Sequence, residues 1–169
     1  ILVNAPIAQH GVAILSKRQG LEFETTVTSD TRPLHFLVNK LLDECGESIH
    51  FLRDPTRGGL ATVMNELASQ ASVGIELFQK QIPIEEQVEG ACEMLGLDPL
   101  YVANEGVFIS IVSSEAAHTV LEILKDEISS AAIIGEVTDS HPGQVILQSK
   151  IGGRRVVNML PGEQLPRIC

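Results

Sequence analysis

Apolar residues recur every three or four positions in five parts of the chain, which is the spacing of an amphipathic helix. This pattern predicts helices over 10–20, about 33–45, around 60–68, about 85–95 and 114–127. Gly20 is a typical residue for the end of the first of them. Cys45 and Cys92 both fall on apolar helix faces, so we expect two of the three thiols to be core residues.

Shorter apolar runs lie between these segments and predict strands. They are residues 1–3, 49–52, about 73–77, 107–112, about 131–137, 144–148 and 154–157. The last two runs are joined by "SKIGGR", which favours a hairpin. Helices and strands thus interleave without a regular βα repeat, and the end of the chain is rich in strands. We therefore expect an α/β (α+β) fold, with a mixed β-sheet and helices packed mainly on one face.

The composition favours a single domain that does not span a membrane or bind nucleic acid. The 169 residues suit one domain of ordinary size, and 44% of them are hydrophobic, enough for a substantial core. The formal net charge of −10 argues against nucleic acid or an acidic membrane surface as a partner. No run approaches the roughly 20 apolar residues of a membrane span. The three cysteines form no CxxC pair and no even set, which favours a reducing, cytoplasmic compartment.

The segment "RDPTRGG" at 53–59 is the most specific internal motif. Asp54 or Thr56 could cap the helix that follows, and Pro55 suits its first turn. Glycines at a helix start let backbone N–H groups approach an anion, and the Arg57 guanidinium would add positive charge. The pattern therefore favours a phosphate site. An ordinary capped helix with Arg57 in solvent is the alternative.

A second motif, "ANEG" at 103–106, places Glu105 in a loop just before a predicted buried strand. A partly desolvated carboxylate in that position could act as a general base. A solvated loop glutamate is the alternative, since most glutamates are exposed. The five histidines show no metal-ligand spacing, so we expect no metal site within the chain.

The chain ends in "PGEQLPRIC", with Cys169 as its last residue. The segment 158–169 has two prolines and no periodicity, which predicts a flexible tail. Such a tail could carry its thiol into a cleft several residues away. An incidental terminal cysteine explains the same residue equally well at this level.

Three segments together, "SDTRPL" at 29–34, "DPTRGG" at 54–59 and the terminal "PRIC", resemble the C-terminal half of the HypE family of hydrogenase maturation factors. This family belongs to the superfamily of aminoimidazole ribonucleotide synthetase and selenophosphate synthetase. The resemblance implies a fold like the C-terminal domain of aminoimidazole ribonucleotide synthetase. It divides the chain into a remnant of the inter-domain segment with the first helix (1–20), the domain itself (21–157) and the tail (158–169). The family's N-terminal ATP-binding domain would be absent.

The resemblance also implies an activity, S-carbamoyl dehydration. A carbamoyltransferase, HypF, would load a carbamoyl group onto Cys169. ATP, with Mg²⁺ held mostly by the missing domain, would then drive dehydration to a thiocyanate, and a HypC–HypD complex would receive the cyanide ligand for the iron of nickel–iron hydrogenase. The full-length protein would be a homodimer.

The residue roles follow from the same resemblance. Cys169 would be the acceptor and carrier, and Glu105 the candidate base. Asp30 and Asn104 would position other groups. The phosphate-facing residues would be Asp54, Thr56, Arg57, Gly58 and Gly59.

Two departures from the family pattern limit these expectations. Gln9 stands where the family tends to have an aspartate before a His-Gly pair, so any acid role there is lost. Without the N-terminal domain, this chain alone should not turn over ATP. Two alternatives stay open: a fragment of a selenophosphate or aminoimidazole ribonucleotide synthetase, or a non-catalytic module that presents an acceptor thiol to HypF and HypD.

Overall fold

The computed structural model describes residues 1–20 and 27–160, apart from the side chain of Gln19. Within these ranges there are five α-helices: α1 Gln9–Gln19, α2 His35–Cys45, α3 Gly59–Ala71, α4 Glu86–Leu95 and α5 Ala117–Glu127. The same ranges hold eight strands: β1 Leu2–Val3, β2 Ile49–Arg53, β3 Gly74–Phe78, β4 Ile109–Val112, β5 Ala132–Ile133, β6 Gly135–Thr138, β7 Val145–Gln148 and β8 Arg154–Val156. The five predicted helices are present and the α/β class is confirmed.

The strands form two four-stranded sheets, where the sequence led us to expect one mixed sheet. The first has the order β2-β4-β1-β5 and is antiparallel throughout. The second has the order β6-β3-β7-β8 and is mixed, because β3 and β7 run parallel. The predicted hairpin is confirmed, since β7 pairs with β8 in antiparallel register.

Ile134 explains why the predicted strand 131–137 is two strands. Its N–H donates to the carbonyl of Ile1 on the side of the first sheet, and its carbonyl accepts from the N–H of Phe78 on the side of the second. The chain therefore passes from one sheet to the other at this fully buried residue. The sequence does not reveal this change of sheet, because both flanking strands are partly buried and their residues form one continuous apolar run.

Alternation along the strands separates two apolar cores on the two faces of the first sheet. Leu2 and Phe108 point into a smaller core shared with α2 and α5. Val3 and Ile109 point into a larger core that also takes residues from α1, α3, α4 and the second sheet. The first sheet is thus covered on both faces. Helices α2 and α5 account for one face, and the other face lies against the main core.

Residues 1–20 pack into this same main core. Strand β1 lies between β4 and β5, and Ile7 and Val12 are fully buried. The predicted boundaries at residues 20 and 157 stay predictions. No helix in the described part of the chain has the length and apolar character needed to cross a bilayer.

Candidate functional site

The "DPTRGG" loop connects the end of β2 to the start of α3. The predicted side-chain cap by Asp54 or Thr56 is wrong: Gly58 occupies the N-cap position in the left-handed conformation, with φ of 68°, and no side chain caps the helix. The first turn of α3 is therefore formed by backbone hydrogen bonds alone, without a side-chain cap. The Gly58 carbonyl accepts the Thr62 N–H at 3.2 Å.

Gly59 is required for a different reason, namely the close approach of another segment. A Cβ at this position would lie 2.6 Å from the Leu100 carbonyl oxygen and 2.7 Å from that of Val102. Its φ of 60° also lies in the left-handed region. The start of α3 is therefore pressed against the backbone that leads into "ANEG".

Asn104 ties this loop to the start of α1. It is fully buried, and its side-chain oxygen accepts the Ala8 N–H at 2.7 Å. Its amide nitrogen donates to the carbonyls of Pro55, at 2.9 Å, and Val102, at 3.0 Å. One side chain thus holds the residue before α1 and the loop before α3 in a fixed relation, as a satisfied buried network does.

Asp30 binds the backbone of Glu105. Asp30 is only 4% exposed, and its two carboxylate oxygens accept the Glu105 backbone N–H at 3.1 and 3.3 Å. Gly106 is needed beside it, since a Cβ there would collide with the Asp30 carbonyl oxygen. The Arg32 Nε also donates to that carbonyl at 3.2 Å.

The structure thus joins the three internal motifs at one place. "SDTRPL" contacts "ANEG" through Asp30, and "ANEG" contacts "DPTRGG" through Asn104. Glu105 is half-buried between these contacts. Arg57 and Asp54 are exposed on the loop and Thr56 is half-buried, so the guanidinium is accessible to a ligand. These predicted site residues therefore lie in neighbouring segments. Cys169 lies outside the described residues.

The final described residues run beside this site. The Tyr101 hydroxyl donates to the Asn158 carbonyl at 2.8 Å, and the Asn65 side chain on α3 donates to the Val157 carbonyl at 3.0 Å. Leu160 packs against the main core. Tyr101 belongs to the same turn that faces Gly59, and Asn65 lies in the middle of α3, so the last described residues run beside this helix.

Sequence reasoning missed several polar residues that shape the site. His10 is buried and its Nδ1 lies 2.9 Å from the Ser29 hydroxyl. Asn4 is buried as well, with its side chain bonded to the Phe108 N–H at 2.7 Å and the Gly106 carbonyl at 3.3 Å. A polar residue inside an apolar segment such as "LVNAPIA" was the available signal.

Burial raises the pKa of the Tyr101 hydroxyl in the turn that faces Gly59. The pKa of the Cys92 thiol is raised to about 11, first by burial and then by the negative charges of Asp98 and Glu89. Cys92 is in the main core, as predicted, and Cys45 is partly buried against the smaller one. In the described residues no three His, Cys, Asp or Glu side chains come together in a way that could hold a metal ion.

Comparison with known proteins identifies the family of this chain. Residues 1–148 match the family described as AIR synthase related protein, C-terminal domain. The chain is 50% identical over 171 residues to the carbamoyl dehydratase HypE of Azotobacter vinelandii, a match that covers 100% of this chain and 50% of that protein.

Solved structures agree with this relationship. The hydrogenase maturation protein HypE in complex with ATP superposes with a TM-score of 0.93 at 45% identity, over 99% of this chain and 52% of that one. A HypE–HypF complex gives 0.88 at 41% identity, over 93% and 51%. The chain spans about half the length of the relatives it matches. By sequence and by fold, this chain belongs to the AIR synthase related family as a C-terminal domain, with HypE proteins among its close relatives.

Proposed function

We propose that this chain is the C-terminal part of an ATP-dependent S-carbamoyl dehydratase that makes the cyanide ligands of nickel–iron hydrogenase. Cys169 carries the carbamoyl group, and the site around Glu105 converts it to a thiocyanate. The observation that supports the proposal is the network through Asn104 and Asp30, because it joins the glycine-rich loop that carries the exposed Arg57 to the segment that carries the half-buried Glu105. The relatives named carbamoyl dehydratase supply the reaction.

The chemistry requires two kinds of group. The amide oxygen of the thiocarboxamide is a poor leaving group until it takes the γ-phosphoryl group of ATP. Two protons then leave the nitrogen, the C–O bond breaks, phosphate departs with the oxygen, and the C≡N bond forms. The site therefore needs positive charge and N–H donors at the phosphate, and a base near the nitrogen.

The loop before α3 fits the first requirement. The backbone N–H groups at the start of α3 carry the positive end of the helix dipole, and the exposed Arg57 adds a full charge. Glycine at 58 and 59 keeps side chains away from those N–H groups. Asp54 and Thr56 flank this position. Mg²⁺ would accompany ATP, and in this proposal it is held mostly by the half that the relatives have in addition.

Glu105 fits the second requirement. Asp30 holds its backbone N–H, so the residue is anchored in the segment that Asn104 joins to the loop before α3. A base held in this way can take the nitrogen protons only if the reacting carbon reaches it. Nine residues follow Leu160, and nine extended residues span at most about 30 Å. The last described residues run beside α3, and in this proposal the tail spans the remaining distance and brings the Cys169 thiol to the site.

The proposal includes partners and a compartment. HypF loads the thiol, in line with the solved HypE–HypF complex of a relative. A HypC–HypD complex takes the product, and the full-length protein is a homodimer. The reaction takes place in the cytoplasm, where a terminal thiol stays reduced.

Intact mass measurement tests the acceptor. The chain is incubated with HypF, carbamoyl phosphate and ATP, and wild type is compared with Cys169→Ala and with Cys45→Ala as the matched thiol control. We expect one carbamoyl mass on wild type and on Cys45→Ala, and none on Cys169→Ala. Modification of Cys169→Ala at the wild-type level would contradict the proposal. If nothing is modified, the same assay is run on the chain fused to the half that its relatives have in addition, and failure there rejects it.

The same fusion tests the base. With the carbamoylated thiol and ATP, we expect a second change equal to the loss of one water. Glu105→Gln should keep the carbamoyl mass and lose water at least about a hundredfold more slowly, since general bases contribute factors of that order. A Glu105→Gln protein that dehydrates at the wild-type rate would remove Glu105 from the mechanism.

A further inference from the structure

His10 is a buried polar side chain to which the proposed mechanism has so far given no role. The residue lies in the first turn of α1 and is 8% exposed. Its Nδ1 pairs with the Ser29 hydroxyl at 2.9 Å. Its Nε2 is buried and has no hydrogen-bond partner among the described residues. Leaving a buried ring nitrogen unpaired costs free energy, so this imidazole lowers stability at Nε2 while it makes a hydrogen bond at Nδ1.

Ser29 is in turn hydrogen-bonded to Thr31, so the two residues that flank Asp30 are held together. The Ser29 hydroxyl oxygen accepts the Thr31 N–H at 3.2 Å and pairs with the Thr31 hydroxyl at 2.7 Å. Ser29 and Thr31 are exposed, so solvent competes for both groups unless a buried partner holds them. His10 is that partner, because it approaches Ser29 from inside the domain.

Asp30 continues the connection to Glu105. Its carboxylate holds the Glu105 N–H, and its carbonyl lies against Gly106 and accepts from Arg32. A displacement of the turn 29–31 would therefore move both the carboxylate and the carbonyl relative to Glu105. The connection from α1 to the candidate base thus consists of the hydrogen bond between His10 and Ser29, the peptide bond from Ser29 to Asp30, and the hydrogen bonds from Asp30 to Glu105.

We propose that His10 is a positioning residue for the dehydration reaction: through Ser29 it holds the 29–31 turn where Asp30 fixes Glu105. This inference rests on the proposed function, and it assigns the effect to Nδ1. His10 itself touches no reacting atom. The bond to Ser29 can be made with either partner as donor, since Ser29 and Thr31 can exchange roles in their hydroxyl pair.

Two substitutions separate the two ring nitrogens. Asparagine places a polar atom near the position of Nδ1 and removes Nε2, whereas glutamine places its amide near Nε2 and loses Nδ1. His10→Asn should therefore keep the bond to Ser29, and His10→Gln should lose it. Ser29→Ala removes the same bond from the other side without altering the core. His118→Gln on the exposed surface of α5 is the matched control.

The activity experiment uses the fusion with the additional half. We expect His10→Gln and Ser29→Ala each to lower kcat for water loss at least about tenfold, because a small displacement of a catalytic group has a large effect on rate. The KM for ATP and the rate of carbamoylation by HypF should stay within about twofold. His10→Asn should recover kcat to within about threefold of wild type, and the double variant His10→Gln/Ser29→Ala should be no slower than either single one.

A second readout does not depend on the reaction. In ¹⁵N-labelled chain, the backbone amide signal of Glu105 should shift in His10→Gln and Ser29→Ala and stay in place in His10→Asn and His118→Gln. Equal loss of kcat in both His10 variants would overturn the inference, because the bond from Nδ1 would then not be what matters. Loss in His10→Asn with retention in His10→Gln would also overturn it and would assign the role to Nε2. An unmoved Glu105 signal in both His10→Gln and Ser29→Ala would also overturn it. If wild type shows no water loss, the proposed function fails, and the Glu105 signal alone decides the role of His10.

Discussion

Asp30 and Glu105 are 75 positions apart in the sequence, and both carboxylate oxygens of Asp30 accept the backbone N–H of Glu105, at 3.1 and 3.3 Å. A buried carboxylate that faces a backbone donor is held in place and holds its partner in turn. This contact fits the positioning role proposed for Asp30, and the side chain of Glu105 is the proposed base.

Asn104→Ala should destabilise the chain strongly. The substitution leaves the Ala8 N–H without its partner, and an unsatisfied buried group costs about 1–3 kcal/mol. It also removes one hydrogen bond each from the carbonyls of Pro55 and Val102, although the backbone N–H of residue 104 still donates to Pro55. We expect the free energy of unfolding to fall by about 2–4 kcal/mol in urea titrations. Asn39→Ala, at an exposed position on α2, is the control and should change it by less than about 0.5 kcal/mol. An effect of Asn104→Ala as small as that of the control would mean that the network is not formed.

Two glycine substitutions should have opposite signs. Gly59→Ala places a Cβ against the carbonyl oxygens of residues 100 and 102 at a left-handed position, so it should lower the melting temperature. Gly90→Ala lies within α4 with no neighbour within 4 Å of the new Cβ. It should stabilise the chain by about 0.5–1 kcal/mol through helix propensity. Differential scanning calorimetry of the two variants measures the contrast, and a stabilising Gly59→Ala would show that α3 does not press on that segment.

Arg57→Ala should weaken ATP use without affecting stability. The guanidinium is exposed, so its removal should leave the melting temperature unchanged. In the fusion with the additional half, loss of one charge-assisted contact to phosphate should reduce kcat/KM for ATP about tenfold or more. Lys125→Ala, an exposed cation on α5, is the charge-matched control. Steady-state kinetics with equal values for the two variants would take Arg57 out of the phosphate site.

Cys92 should be unreactive in the folded chain. Burial and the nearby Asp98 and Glu89 raise its thiol pKa from 9.0 to about 11, so almost no thiolate is present at pH 8. Iodoacetamide followed by peptide mapping should label Cys92 only after denaturation. Rapid labelling of Cys92 in native protein at pH 8 would contradict its burial in the main core.

The same shift has a consequence for stability at high pH. Because the folded-state pKa of Cys92 lies above the unfolded value, its contribution is fully present below pH 9 and is lost as pH rises through about 11. The free energy of unfolding should therefore fall more steeply between pH 9 and 11 in wild type than in Cys92→Ala. Comparing the two proteins cancels the titration of lysines and tyrosines. Parallel curves would show that the thiol does not titrate in this range.

The local pattern of the sequence determined the helices and most strands. Apolar spacing is a property of neighbouring residues, and it assigns each residue to a face whatever the rest of the chain does. It therefore placed Cys92 in the core and predicted β7 and β8 as a hairpin. The glycine-rich motif and Glu105 could be named for the same reason, because each depends on a few adjacent residue types. Asp30 and Asn104 came from the family resemblance.

Only the tertiary structure decided how these pieces meet. The passage of the chain between two sheets at Ile134 depends on bonds to residues 1 and 78, far away in sequence. Asn104 reads as a loop residue, yet its burial and its bonds to residues 8 and 55 make it the tie between two helix starts. No side chain caps α3, since Gly58 takes the N-cap position in the left-handed conformation, and the next residue packs against 100–102. Hydrogen bonds between distant segments have no signature in local periodicity. The candidate site residues could therefore be named from the sequence, but their contacts with one another are known only from the tertiary structure.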